Sequence, residues 1–388
     1  AGVAPGPGTN SASPIARIHE ALTVVHSPYS TNDTRKEASA YLEQLKSDIS
    51  APYHGFTLAS DKSQEPVVRH YALSLLENAI RHKWFEYEEP EANAMRGWVL
   101  QLSEAVAQQD PLYLRNKTAQ LWVEIAKRSW ANQWMDMDQL LVQLWSTGAI
   151  VHKEFVLFVL ENLSEEVFAR EDGSAGMREQ VLKTACVQIF TPAEVLQKEF
   201  PNRSQTPKVR YGDEGWLVRL CQFLGQCIQD GGDESHSCAV KILAVFRSVM
   251  PWVVPKAIAA AHCVDYMCQS LALPDNRVQT VRTLQLTQMT LSNEVQASIE
   301  ALHALYGRPY FSPEEYEELI CPIFTTERVN LLREIYEWSS TIDHEDIDEE
   351  KYLISKKLTE VRFFIQDQII YILTISDGVE ARQLSRGL

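Results

Sequence analysis

His262 and Cys263, with Cys268 five residues further on, are the residues here that come nearest to a metal site. Structural zinc takes four nitrogen or sulfur ligands, normally as two closely spaced pairs. This chain has no Cys-x-x-Cys, and Ala257, Ala261, Val264, Tyr266, Met267 and Leu271 surround the cluster. Cys263, Tyr266 and Met267 fall at helical core spacing, so these thiols read as small buried apolar side chains. Cys221 and Cys227, flanking Phe223 and Leu224, read the same way. Gly173-Ser174-Ala175-Gly176 has the wrong spacing for a nucleophile elbow. Neither Gly-rich phosphate loop, G-x-x-x-x-G-K-[ST] or G-x-G-x-x-G, is present. The carboxylate pairs Glu165-Glu166 and Glu314-Glu315 sit in helical stretches without an apolar pocket around them and read as solvated faces. The sequence therefore predicts no catalytic residue, no metal and no cofactor, and a chain that is not an enzyme.

Composition narrows the remaining classes. The 388 residues include 36 basic and 52 acidic side chains, a formal charge of −16, with 45% apolar residues. Such a chain can bury a large core. The acid excess argues against a dedicated grip on nucleic-acid phosphates and suits partners with basic patches. An odd count of seven cysteines, none before Cys186, argues against a disulfide framework and for a reducing compartment. The longest apolar run, Phe155 to Leu160, is far short of the roughly 20 residues of a membrane span. Ala1 to Pro14, rich in Gly, Pro and Ser, reads as a loose tail and not a signal peptide.

The elements that must position any site are helices almost throughout. In Pro66 to Trp84, Val68, Ala72, Leu75, Leu76 and Ala79 form one stripe while His70, Ser74, Glu77 and Arg81 form the opposite one. Thr31 to Ile49 repeats this with Ala38, Tyr41, Leu42, Leu45 and Ile49, capped by Asn32 or Asp33. Further helices are predicted near 15–26, 91–109, 111–129, 134–147, 150–169, 176–190, 214–229, 236–250, 252–272, 293–306, 313–320, 327–340 and 348–375. Short links such as Glu89-Pro90, Asp110-Pro111 and Gly231-Gly232 force neighbours to run antiparallel and touch. The expected fold is all-α: a right-handed α-solenoid of HEAT-type antiparallel helix pairs. Thr191 to Gly215 is expected as a loop between two helices of one repeat. Asp275 to Asn293 is either an insertion loop or a ragged helix, and Asp343 to Glu350 an acidic loop.

Six of the nine tryptophans lie between Trp84 and Trp145. One helix is predicted to end near Trp130 and the next to start near Trp134, so the two indoles can wedge between consecutive helix pairs. The preferred reading of Trp84, Trp122, Trp130 and Trp134 is a structural corner, with a ligand box as the alternative.

That corner resembles a signature of the importin-β superfamily of nuclear transport receptors, A-K-x-x-W-P-x-x-W-P. Ala126-Lys127, Trp130 and Trp134 match at the right spacing, while Ala131 and Met135 replace both prolines. Val67 to Trp84 is similar to the second-repeat helix of importin-β N-terminal domains, and its Arg69-His70-Tyr71 opening looks most like the exportin-5 branch, including its fungal relatives. The resemblance covers residues 15–170 well and fades after 270. It implies importin-β N-terminal-like repeats over 15–130, further exportin-type repeats over 131–274, and less regular helical repeats over 275–388.

The resemblance implies a function too. Such receptors shuttle between nucleus and cytoplasm through nuclear pore proteins. They carry protein cargo and structured RNA, need no cofactor, and are expected here as monomers without membrane insertion. Exportins bind Ran in its GTP form together with cargo, on a concave face lined by the second helix of each pair. The family places His70, Ser74, Glu77 and Arg81 on that face as candidate Ran contacts; the plain alternative is a solvated surface. RNA recognition of this kind needs a basic inner surface, which an acidic chain without a basic stripe does not supply by itself. The resemblance also suggests the N-terminal arm of a longer receptor. An import receptor of the same fold and a helical scaffold that binds no GTPase are the alternatives.

Overall fold

The computed structural model describes residues 13–169, 178–202, 208–272, 293–309, 311–340 and 349–375. The N-terminal tail through residue 12, the Gly173–Gly176 turn, the Thr-rich stretch 273–292, the acidic loop 341–348 and the tail after 375 lie outside the described residues. Among the described residues every regular element is helical, and the architecture is an all-α solenoid of HEAT-type helix pairs. Two compact units divide the chain at residues 128 and 129.

The first unit contains α1 (Pro14–His26), α2 (Asn32–Leu45), α3 (Ala51–Ser60), α4 (Pro66–Lys83), α5 (Glu89–Glu104) and α6 (Leu112–Ser129, whose last residue lies past the division). Pairing follows chain order, α1 on α2 and α3 on α4. The predicted stripe of α4 is buried at all five positions, Val68, Ala72, Leu75, Leu76 and Ala79. In α2 the register holds but the ends differ. Thr31, and not Asn32 or Asp33, caps it, its hydroxyl accepting from the Thr34 N–H at 3.3 Å. The helix stops at Leu45, and Ile49 is 55% exposed. The Asp48 carboxylate draws the N–H and hydroxyl of Ser50, both at 2.8 Å, and such local bonds compete with helix propagation.

Helix α3 has no counterpart in the sequence reading, because Gly55 in its middle weakens the helical signal. The structure explains the glycine. A Cβ at Gly55 would lie 2.7 Å from the carbonyl oxygen of Ala72 and 3.1 Å from Leu75 Cβ. The bare backbone is what lets α3 seat against α4. Asp110 closes the same region, accepting from Lys62 at 2.6 Å, Arg69 at 2.7 Å and the Ala107 N–H at 2.9 Å.

The second unit runs through α7 (Met137–Ser146), α8 (Ile150–Ser164), α9 (Glu179–Phe190), α10 (Ala193–Glu199), α11 (Gly215–Asp230), α12 (Asp233–Val249), α13 (Pro255–Ala260), α14 (Cys263–Leu271), α15 (Asn293–Tyr306), α16 (Pro313–Leu319), α17 (Thr326–Ser340) and α18 (Glu349–Ile375). Helices α8, α12, α15 and α18 pack side by side in that order, each backed by a partner: α7, α11, α14 and α17. Three predicted elements are corrected. The loop expected over 191–215 holds α10. The helix expected over 252–272 is two helices, because His262 adopts a left-handed φ of 55°. The solvated Glu165-Glu166 pair sits in a π-turn after α8, and Glu166 is only 6% exposed.

Asp138 pins the stretch before α11. Fully buried at the start of α7, it accepts from the Tyr211 N–H and from Trp216 Nε1, both at 2.7 Å. Burial pushes its carboxyl up to about 6, against those two bonds.

Two outcomes follow from this packing. Gly55→Ala gains about 1 kcal/mol of helix propensity but overpacks a backbone contact, which costs roughly 1–3 kcal/mol. Its denaturant midpoint is expected below wild type, and a rise would contradict the close approach. For Asp138, a raised folded pKa means that protonation favours the fold. Its contribution is therefore present near pH 4 and lost as pH rises through 6. The wild-type stability relative to Asp138→Asn should fall by roughly 2 kcal/mol between pH 4 and 7, read from paired denaturation series.

Candidate functional site

Helix α4 starts at Pro66, which fits a first-turn position, and ends on Arg81, His82 and Lys83, which suit the negative end of its dipole. His70, Ser74, Glu77 and Arg81 lie on one face, at spacings of four, three and four residues. His70 is exposed and the other three are half-buried.

Three of the four reach α6. His70 meets the ring of Tyr113 edge-on, with centroids 5.6 Å apart. Glu77 pairs with Lys117 and, at 3.4 Å, with Arg81 one turn on. Arg81 crosses to Glu124 at 2.9 Å, and Arg128 donates to the Arg81 carbonyl at 2.9 Å. Ser74 turns back, its hydroxyl donating to the Tyr71 carbonyl at 2.6 Å. The face is thus a stitched seam between two second helices as well as a surface.

Glu124 is the centre of the seam. It is 2% exposed and also takes Arg128 at 2.8 Å and Lys127 at 3.2 Å. Burial pulls its pKa up, but Lys127, Arg81 and Arg128 outweigh burial and hold the carboxyl below its ordinary range. Partial burial, with Lys117 adding to it, holds the His70 imidazole below its ordinary value against Glu77. The sequence reading missed Tyr113, Lys117, Glu124 and Arg128. A usable signal was there: Glu124 interrupts an apolar run, Trp122-Val123 and Ile125-Ala126, with two cations one turn on.

The four corner tryptophans are all buried. Trp84 opens a short turn after α4, and Trp122 lies within α6. Trp130 and Trp134 face each other across a tight turn joined by a backbone bridge. The Ser129 carbonyl accepts from the N–H groups of Gln133 at 3.0 Å and Trp134 at 2.9 Å. Ala131, standing where the resembling motif has proline, takes a left-handed φ of 61°. Proline is locked near −65°, so this turn cannot be the proline-built one. The next helix starts at Met137, three residues after Trp134.

In the second unit the α8–α12–α15–α18 layer is stitched the same way. Lys241 meets Glu154 at 2.5 Å, and Arg247 meets Glu161 at 3.3 Å and Glu300 at 3.2 Å. Glu300 continues to Lys357 at 2.5 Å, His236 bonds Glu294 at 2.8 Å, and His303 bonds Glu360 at 2.7 Å. Cys263 and Cys268 are buried and His262 points outward, its side chain 72% exposed. Among the described residues no three His, Cys, Asp or Glu side chains gather to hold a metal, and no helix is long and apolar enough to cross a membrane.

Comparison with known proteins gives this seam a context. The profile of the Importin-beta N-terminal domain matches residues 38–124, and that of the Exportin 1-like protein family matches 111–205. Helix α4 lies in the first match, and α6 starts in the overlap of the two. The chain is 27% identical over 360 residues to Protein MSN5 of Saccharomyces cerevisiae, covering 89% of this chain and 28% of that protein. It is similar to Exportin-5 of Dictyostelium discoideum at 26% over 292 residues, covering 69% of this chain and 25% of the relative. With Exportin-5 of Homo sapiens it shares 30% over 262 residues, covering 65% and 20%. The chain thus spans between a fifth and 28% of the length of these relatives.

Truncating Glu124 to alanine strands its cations, and breaking a buried pair in this way costs roughly 3–5 kcal/mol. Because its folded pKa is lowered, its stabilisation is present above the ordinary carboxylate range and lost on acidification. Chemical denaturation at neutral pH should show most of that loss in Glu124→Ala, and the gap to wild type should shrink in acid. A loss under about 1 kcal/mol would mean the seam is only a surface ion pair.

Proposed function

The chain belongs to the importin-β family, on its exportin-5 branch, and from that premise we infer that it serves as a nuclear export receptor or as the arm of one. In this reading it is a binding protein, not an enzyme. It engages Ran in its GTP form on the face formed by α4 and α6, carries protein cargo and structured RNA, meets nuclear pore proteins, and shuttles between nucleus and cytoplasm. One observation supports it above the rest: the seam of His70, Glu77 and Arg81 against α6 begins inside the segment that matches the Importin-beta N-terminal domain. Glu77 and Arg81 keep part of their surface, so a partner docking there would read charges already fixed in place. Such fixed charges favour steered, salt-sensitive association.

The mechanism needs no chemistry by this chain. Binding of Ran-GTP raises cargo affinity by the factor by which cargo raises Ran-GTP affinity, and hydrolysis elsewhere removes that coupling. Capture of purified Ran by the immobilised chain, loaded with GTP or GDP and with or without structured RNA, tests this reading. The GTP form should be retained preferentially. Equal retention of both forms, or of neither, would count against it.

A further inference from the structure

Among the described residues, the shared ion-pair nodes of the α4/α6 seam and those around Arg247 and Lys256 are built with opposite signs at their centres. In the first unit cations crowd the carboxylates: Lys62 and Arg69 share Asp110, Arg81 and Lys117 share Glu77, and Arg81 and Arg128 share Glu124 with Lys127. In the second unit carboxylates crowd the cations: Arg247 alone takes Glu161, Glu165 and Glu300, and Lys256 takes Glu314 and Glu318. Glu300, which also binds Lys357, Glu360, which takes His303 and Lys356, and Asp265, which takes His262 and Arg328, are exceptions in that unit.

Exposure on the α4/α6 face favours the cations at one point. Glu124 is 2% exposed, while Glu77 at 15%, Lys117 at 18% and Arg128 at 17% are covered about equally. The Arg81 guanidinium, 34% exposed, is the most accessible charge of this ion-pair network, although the whole chain carries −16. The titrating groups sense the same field. Lys117 adds to burial in holding His70 low, whereas in the second unit burial and the neighbouring Glu165 push Glu161 up. Partly buried cations gain from an incoming carboxylate, because their desolvation is already largely spent before it arrives.

We propose that the α4/α6 face receives its partner through carboxylates: an acidic surface or segment that docks on Arg81, Lys117 and Arg128, beside the His70–Tyr113 edge. This rests on reading the face as a binding face, and it reverses the expectation from net charge, which pointed to a basic partner. The pairing is local, so the acidic remainder of the chain acts only as a screened, longer-range repulsion.

A fluorescently labelled polyglutamate peptide, with polylysine as its counterpart, provides the probe for the full 388-residue chain. Anisotropy titrations should give polyglutamate binding that weakens about fivefold or more in Arg81→Gln and in Lys117→Gln, and weakens again as ionic strength rises from about 0.05 to 0.3 M. Polylysine binding should not change in these variants. Thermal melts check that the variants fold, and the salt series reads the wild-type face without any substitution. Polyglutamate binding that is absent, insensitive to salt, or equal in wild type and both folded variants overturns the proposal. Loss of Ran-GTP capture with polyglutamate binding retained would count against the export reading alone. Ran-GTP capture by a chain that ignores polyglutamate would count against the acidic-partner proposal alone.

Discussion

A second helix in this fold must satisfy two neighbours at once, and that constraint organises everything else. Its partner in the pair covers one apolar stripe, but the flanks meet the second helices before and after it. Those flanks cannot be wholly apolar without closing the surface, nor freely polar without losing the stack. The chain meets the constraint with charged side chains that reach sideways. Glu124 gathers Arg81 from one helix and Arg128 from its own. Arg247 touches carboxylates on both neighbouring helices, and Glu300 passes the contact on to Lys357. Isolated surface pairs contribute under about 1 kcal/mol each. Shared, half-buried nodes such as Glu124 contribute more, because removing one partner leaves the others desolvated without a counter-charge.

This arrangement gives a binding face a particular character. Its charges are held by packing before any partner arrives, so little side-chain entropy remains to be lost on docking. The face is also inseparable from the stack, so a substitution that alters recognition will often alter stability. The two effects separate only at positions with appreciable exposure, such as Arg81 and His70. Deep members of the same network, such as Glu124, belong first to the fold.

Much of this was legible in the residues. The period of 3.6 located nearly every helix, and the α4 stripe was correct at all five positions. The family could be read from one helix and one tryptophan pair. What was not legible follows a physical pattern. Helix α3 was hidden because Gly55 serves packing against Ala72 at the expense of local propensity. The break at His262 was hidden because nothing in an apolar run announces a left-handed residue. The α4 face was chosen correctly as polar, but its partners on α6 lie about 40 residues away, beyond any local periodicity. Net charge is silent on the partner of a single face for a related reason: a sum over the chain says nothing of which sign lies uppermost there.

The seam between α4 and α6 stitches the first unit, and in the proposed function the same seam faces the partner. Hydrogen–deuterium exchange of the chain with and without Ran-GTP reads both roles together. Added protection is expected to concentrate in residues 66–83 and 112–129. Protection confined to other helices, with these two unchanged in a saturated complex, would contradict it.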